Sequence, residues 1–79
     1  MIPQLINELF EANELPAARE LAIAYLRNEK NENIMFLLAG IHQEEKNYSK
    51  ALDCIEKVTS NPKVLIHKAK ILYYLERAP

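Results

Sequence analysis

Glycine is almost missing from this chain: Gly40 is the only one in 79 residues. A loop that cradles phosphate needs several glycines to bring backbone N–H groups close, so a Gly-rich nucleotide site is excluded. Cysteine is equally scarce. Cys54 alone forms no intrachain disulfide and fits a reducing compartment. The only imidazoles are His42 and His67, and with one cysteine they do not make a zinc-ligand set. An excess of one charge is also lacking. Ten Lys and Arg against eleven Asp and Glu leave a net charge of −1. No basic field is present to hold a nucleic-acid backbone, and the dispersed cations form no polybasic membrane patch. The longest apolar run covers residues 34–39, or reaches 41 if Gly40 is counted. A bilayer needs about 20 such residues. The N-terminal Met-Ile-Pro-Gln-Leu-Ile-Asn-Glu has neither the basic region nor the cleavage site of a secretory signal. Cytoplasm or nucleus is therefore the expected location. No segment alternates polar and apolar residues in the manner of a strand.

Helical periodicity is what remains. Ile2, Leu5, Ile6, Leu9 and Phe10 recur at helical spacing, predicting a first helix that ends near Ala12-Asn13. A second begins at Glu14 or Leu15, with Pro16 in its first turn and closely packing alanines along it; Arg27 and Lys30 complement its C-terminal dipole. Residues 33–46 are apolar almost all round, the pattern of a helix packed on more than one side. A fourth helix is expected from Tyr48 or Ser49 to Thr59. A fifth is expected over residues 62–76, with Asn61 as its cap and Pro62 as its first residue. The fold class is all-α, an antiparallel helix-turn-helix array of about five helices. A chain this short buries only about 60–65% of its unfolded surface, and 49% of its residues are apolar. Some of that apolar surface is expected to remain exposed or to form an interface.

The helices repeat a unit. Met35, Leu38, Ala39, His42, Tyr48, Ala51, Ile55 and Val58, followed by Pro62, form one full copy. Leu5, Ile6, Leu9, Leu15, Ala18, Ala22 and Tyr25 form a looser one, which fits once its second helix is shifted by one residue. Leu65, Ala69 and Leu72 repeat the first helix only, with Lys68 where a Leu is expected. The units are 1–31, 32–61 and a partial 62–79 within a single domain. A repeat of this kind buries its apolar face only against stacked neighbours. The fifth helix is therefore expected to carry a bare flank. The ending Glu76-Arg77-Ala78-Pro79 reads as the start of a loop, as in a chain cut from a longer solenoid.

This pattern resembles the tetratricopeptide-repeat (TPR) family, whose unit is a helix-turn-helix of about 34 residues. Ala39 stands where the family has a small Gly, His42 where it has Tyr, and Pro62 comes one position early. More narrowly, residues 32–39, the Tyr48/Ala51 helix and the passage from Asn61 to Ala69 resemble the N-terminal repeats of a scaffold subunit of the anaphase-promoting complex. That resemblance implies an assembly scaffold in a cell-cycle ubiquitin ligase and self-association as a homodimer. The TPR resemblance also implies a concave surface lined by the first helix of each unit. Carried over by position, it would show Phe10, with Ile6 or Asn7, then Phe36, Gly40 and Gln43, then Ile66, Lys70 and Tyr73. Phe36 and Gly40 depart from the Lys, Asn and Arg of carboxylate-clamp repeats. An apolar helix or strip of a partner suits the set better, although Phe10 and Ile66 would equally serve to pack neighbouring helices.

No residue pattern points to catalysis, and no cofactor or metal is expected. His42 falls where the repeat packs a ring, and Cys54 reads as a small hydrophobe. The charged stretches at residues 29–32 and 44–46 read as a solvated loop and a solvated helix end. Tyr73 and Tyr74 stand on the expected bare flank, where Tyr suits an interface. The candidate binding residues are Phe10, Phe36, Gln43, Ile66, Lys70, Tyr73 and Tyr74. The expected activity is protein binding, first to a second copy and to other subunits of a complex. Two alternatives stay open: a peptide-binding adaptor or chaperone, and a small helical enzyme or sensor using His42 or Cys54.

Overall fold

The computed structural model describes residues 2–59 and 61–77. Five helices follow one another: α1 Ile2–Glu11, α2 Leu15–Asn28, α3 Glu32–Glu44, α4 Tyr48–Ile55 and α5 Val64–Arg77. The described residues contain no strand. Each helix packs on the next, and α1 also reaches α3. Connectors as short as residues 12–14, 29–31 and 45–47 turn successive helices back along each other. The result is a slab of 36 × 26 × 19 Å. Ala78 and Pro79, where a further loop is expected, lie outside the described residues.

The turns are written in side-chain chemistry. Asn13 (φ 62°) and Lys46 (φ 63°) both adopt the left-handed conformation. After α1, the Asn13 N–H donates to the Phe10 carbonyl and the Glu14 N–H to that of Leu9. After α3, the Lys46 N–H donates to Gln43 and the Asn47 N–H to His42 in the same pattern. Each pair closes a Schellman motif and satisfies carbonyls that the helix end leaves open. At the start of α3, the Asn31 carboxamide oxygen accepts from the Asn33 and Ile34 N–H groups, capping the helix that the core depends on.

The two left-handed turns are 33 residues apart, and so are the buried pairs Ile6/Ala39, Ala18/Ala51 and Ala22/Ile55. One offset covers both helices of the hairpin. The one-residue shift expected in α2 is therefore not needed, because the identical turn geometry at Asn13 and Lys46 keeps the second helices in register. Between α3 and α5 the offset drops to 30: Ile34 pairs with Val64 and Ile41 with Ile71 as inward-facing positions.

Three boundaries differ from expectation by two residues or more: α3 stops at Glu44 rather than at residue 46, because Lys46 takes the left-handed conformation that closes it. α4 stops at Ile55 rather than Thr59, and α5 starts at Val64 rather than Pro62. The chain leaves α4 through tight bonds from Lys57 N–H to the Cys54 carbonyl and from Val58 N–H to that of Ile55. The Thr59 N–H and hydroxyl then both donate to the Glu32 carboxylate, each at 3.1 Å, which draws that backbone donor away from a continued helix. Asn61 precedes a proline and is held out of the helical region. Its carboxamide accepts from the Lys63 N–H, and its carbonyl accepts from that of Val64, so a turn precedes the helix.

The core joins Ile6, Ala18, Ala22, Ile34, Leu38, Ala39, Ile41, Ala51, Cys54, Ile55 and Ile71. α3 supplies the largest share, as its all-round apolar pattern requires. Alanines at Ala18, Ala22, Ala39 and Ala51 let the helices approach closely. Glu45, expected on a solvated helix end, instead forms an ion pair with Arg19 that ties α2 to the α3–α4 turn. Both side chains are largely shielded. Glu32, expected in a solvated loop, is the anchor of the α4–α5 connector.

Candidate protein-binding surface

The register of α3 against α5 defines the surface. Positions that turn toward the preceding helix are inward in both. Ala39 and His42 are also buried on α3, yet their counterparts Ala69 and Leu72 are exposed on α5. α3 is packed by α4 on its far side. Among the described residues no further helix covers α5. Leu65, Ala69 and Leu72 stand at i, i+4 and i+7 and form one continuous stripe. Ile66 and Tyr73 widen it. Exposure reaches 75% for Leu65, 59% for Ile66, 53% for Tyr73 and 45% for Leu72. Large apolar side chains contiguous on one helix face mark a docking surface more than scattered single ones do.

The seven residues named from the sequence separate into two groups. Phe10, Phe36 and Gln43 are half-buried. The Phe10 ring tip lies against Gly40, where an added Cβ would sit 3.8 Å from it. Phe36 meets the His67 ring edge-to-face at 4.8 Å, joining α3 to α5. Both phenylalanines are engaged in packing one first helix against the next. Ile66, Lys70, Tyr73 and Tyr74 are exposed on α5. The two tyrosines differ in role. Tyr74 stacks on Tyr48 of α4 at 5.2 Å and so helps seat α5. Tyr73 points along the open side, with the Arg77 guanidinium 5.2 Å over its ring.

Leu65 and Leu72 were not among those seven, although they are central to the stripe. The signal was present: both occupy repeat positions meant for packing, on a helix whose inward face is already formed by Val64, Ile71 and Leu75. A shallow cleft lies between α1 and α3, lined by residues that include Pro3, Gln4, Asn7, Asn33, Phe36 and Leu37.

Charge is unevenly placed around these faces. Lys63, Lys68, Lys70 and Arg77 accompany α5 against Glu76 alone. Residues 1–18 hold Glu8, Glu11 and Glu14 and no Lys or Arg. Lys68 is 3.6 Å from Glu56 of the α4 terminus, an exposed pair that contributes little to stability.

His42 and Cys54 are both buried. His42 sits beside the α3–α4 turn, whereas Cys54 lies toward the far end of the same hairpin. Burial lowers the His42 pKa, opposed by Glu45 and reinforced by Lys50 and Arg19. Its Nδ1 has no hydrogen-bond partner. Burial raises the Cys54 thiol pKa, which reduces its thiolate fraction at neutral pH. No group of three or more His, Cys, Asp or Glu among the described residues is arranged to hold a metal ion. No described helix is long and apolar enough to cross a membrane. Comparison with protein-family models, with curated proteins and with solved structures finds no match to this chain.

Proposed function

We propose that this chain is a non-enzymatic protein-interaction and self-association module of the tetratricopeptide type, acting as an assembly scaffold. The observation that carries the reading is the bare stripe of Leu65, Ala69 and Leu72, flanked by Ile66 and Tyr73. The matching positions of α3 are covered by the chain itself. The 33-residue structural repeat with identical turns supports the tetratricopeptide assignment. The mechanism is burial of the α5 stripe under a helix of another protein, in the way that α4 covers α3, with lysines at the rim orienting the partner. A second copy is the first partner proposed. The resemblance of residues 32–39 and of the Asn61–Ala69 passage is the ground for the larger setting, a subunit of a cell-cycle ubiquitin ligase in cytoplasm or nucleus.

The cleft between α1 and α3 favours a second reading, a peptide-binding adaptor that holds an extended segment across Asn7, Asn33 and Phe36. Light scattering coupled to size exclusion separates the two. Wild type should show a mass that rises with concentration, and Leu65→Glu with Leu72→Glu should remain monomeric with an unchanged helical spectrum. A wild-type mass that stays at one chain at every concentration removes self-association and leaves the adaptor.

A further inference from the structure

We infer that the α5 stripe is covered by the α1/α2 end of a second copy, so that copies associate head to tail; this rests on the reading of α5 as a binding face. Two apolar surfaces lie at opposite ends of the helix order. At the tail is the α5 stripe. At the head, Ile2 and Leu5 are each 46% exposed. Ile2 opens onto a cleft with Leu21, Ala24 and Tyr25, where α1 lies along α2. Self-complementary pairing of α5 with α5 is the obvious alternative, and charge argues against it. The tail carries Lys63, Lys68, Lys70 and Arg77 against Glu76 and the Glu56 that faces Lys68, a net positive rim, so pairing it with itself places like charge on like. The head, residues 2–29, carries Glu8, Glu11, Glu14, Glu20 and Glu29 against Arg19 and Arg27; Arg19 is engaged by Glu20 and Glu45, and Glu29 borders the cleft. Apolar stripe therefore meets apolar cleft while basic rim meets acidic rim. A head-to-tail contact is heterologous and leaves a free head and a free tail after each addition until a ring closes. The assembly it builds is a ring or an open array rather than a closed pair.

Complementation tests this directly. The head variant is Leu5→Lys with Glu8→Lys, and the tail variant is Leu65→Glu with Leu72→Glu. All four positions are exposed, and an unchanged circular-dichroism melt verifies each fold; the single changes Glu8→Lys and Leu65→Ser replace any pair that melts early. Wild type should grow past the dimer as concentration rises and should shrink at 1 M salt. Each variant alone should be monomeric, and their equimolar mixture should form a 1:1 pair whose apparent mass approaches twice that of one chain. A head variant that still dimerises like wild type overturns head-to-tail assembly in favour of α5 pairing with itself, while the α5 reading stands. A mixture that remains monomeric overturns it as well. A tail variant that still associates shows that α5 is not the surface, and then the underlying reading falls too.

Discussion

Gly40 sits inside α3, where a glycine destabilises a helix by about 0.5–1 kcal/mol relative to alanine. An added Cβ would meet the Phe10 ring tip at 3.8 Å, an ordinary contact. Gly40→Ala should therefore raise stability by about 0.5–1 kcal/mol, read as a higher urea midpoint; a lower midpoint would show that the α1–α3 contact is too tight for a methyl group. His42 carries the opposite liability. Its ring is buried, its Nδ1 is unpartnered, and desolvation holds its pKa below the ordinary 6.5. His67 is lowered as well, again chiefly by burial, with Lys70 and Lys63 adding to it. The unfolded chain takes up these protons first. Stability should be full above pH 6.5 and should fall as pH drops below it, until the lowered folded-state values are reached. His42→Phe should keep or raise stability at pH 7.5 and weaken this decline, measured by urea midpoints at pH 7.5 and 5.0. An unchanged pH slope would mean that His42 does not titrate against the fold.

At the scale of the element, apolar spacing made all five helices legible, and Asn13 and Lys46-Asn47 were readable as turns. The end of α4 was not, for an identifiable reason. Whether α4 continues past Ile55 depends on Thr59, whose donors are taken by Glu32 from across the hairpin. A contact between residues 27 positions apart leaves no mark on local periodicity. The same holds for Arg19 and Glu45, which look like solvated charges in sequence and are partners in space. Glu32→Ala should release the α4–α5 connector and lower stability by about 1 kcal/mol, with faster amide exchange around Thr59. Unaltered exchange there would show that the connector is held by Val58 and the Asn61 turn alone.

At the scale of the whole molecule, the bare flank of α5 was legible because the packing positions of the repeat recur there, and among the described residues no further helix covers them. Its membership was only partly legible. Ile66, Lys70 and Tyr73 stand on or beside it, but Tyr74 turns back to stack on Tyr48 of α4, a contact between residues 26 positions apart that local periodicity does not record. Phe10 and Phe36 are engaged in packing first helices on one another, as the slab geometry demands. The central claim is that this flank is a surface meant to be covered. Its most direct test is the alkylation rate of a thiol placed mid-stripe by Ala69→Cys, followed from dilute to concentrated protein, with buried Cys54 as the slow internal reference. The account predicts rapid reaction when dilute and at least about tenfold protection when concentrated, as expected for a site closed by association with over nine-tenths of the chains bound. A rate independent of concentration would contradict self-association through α5.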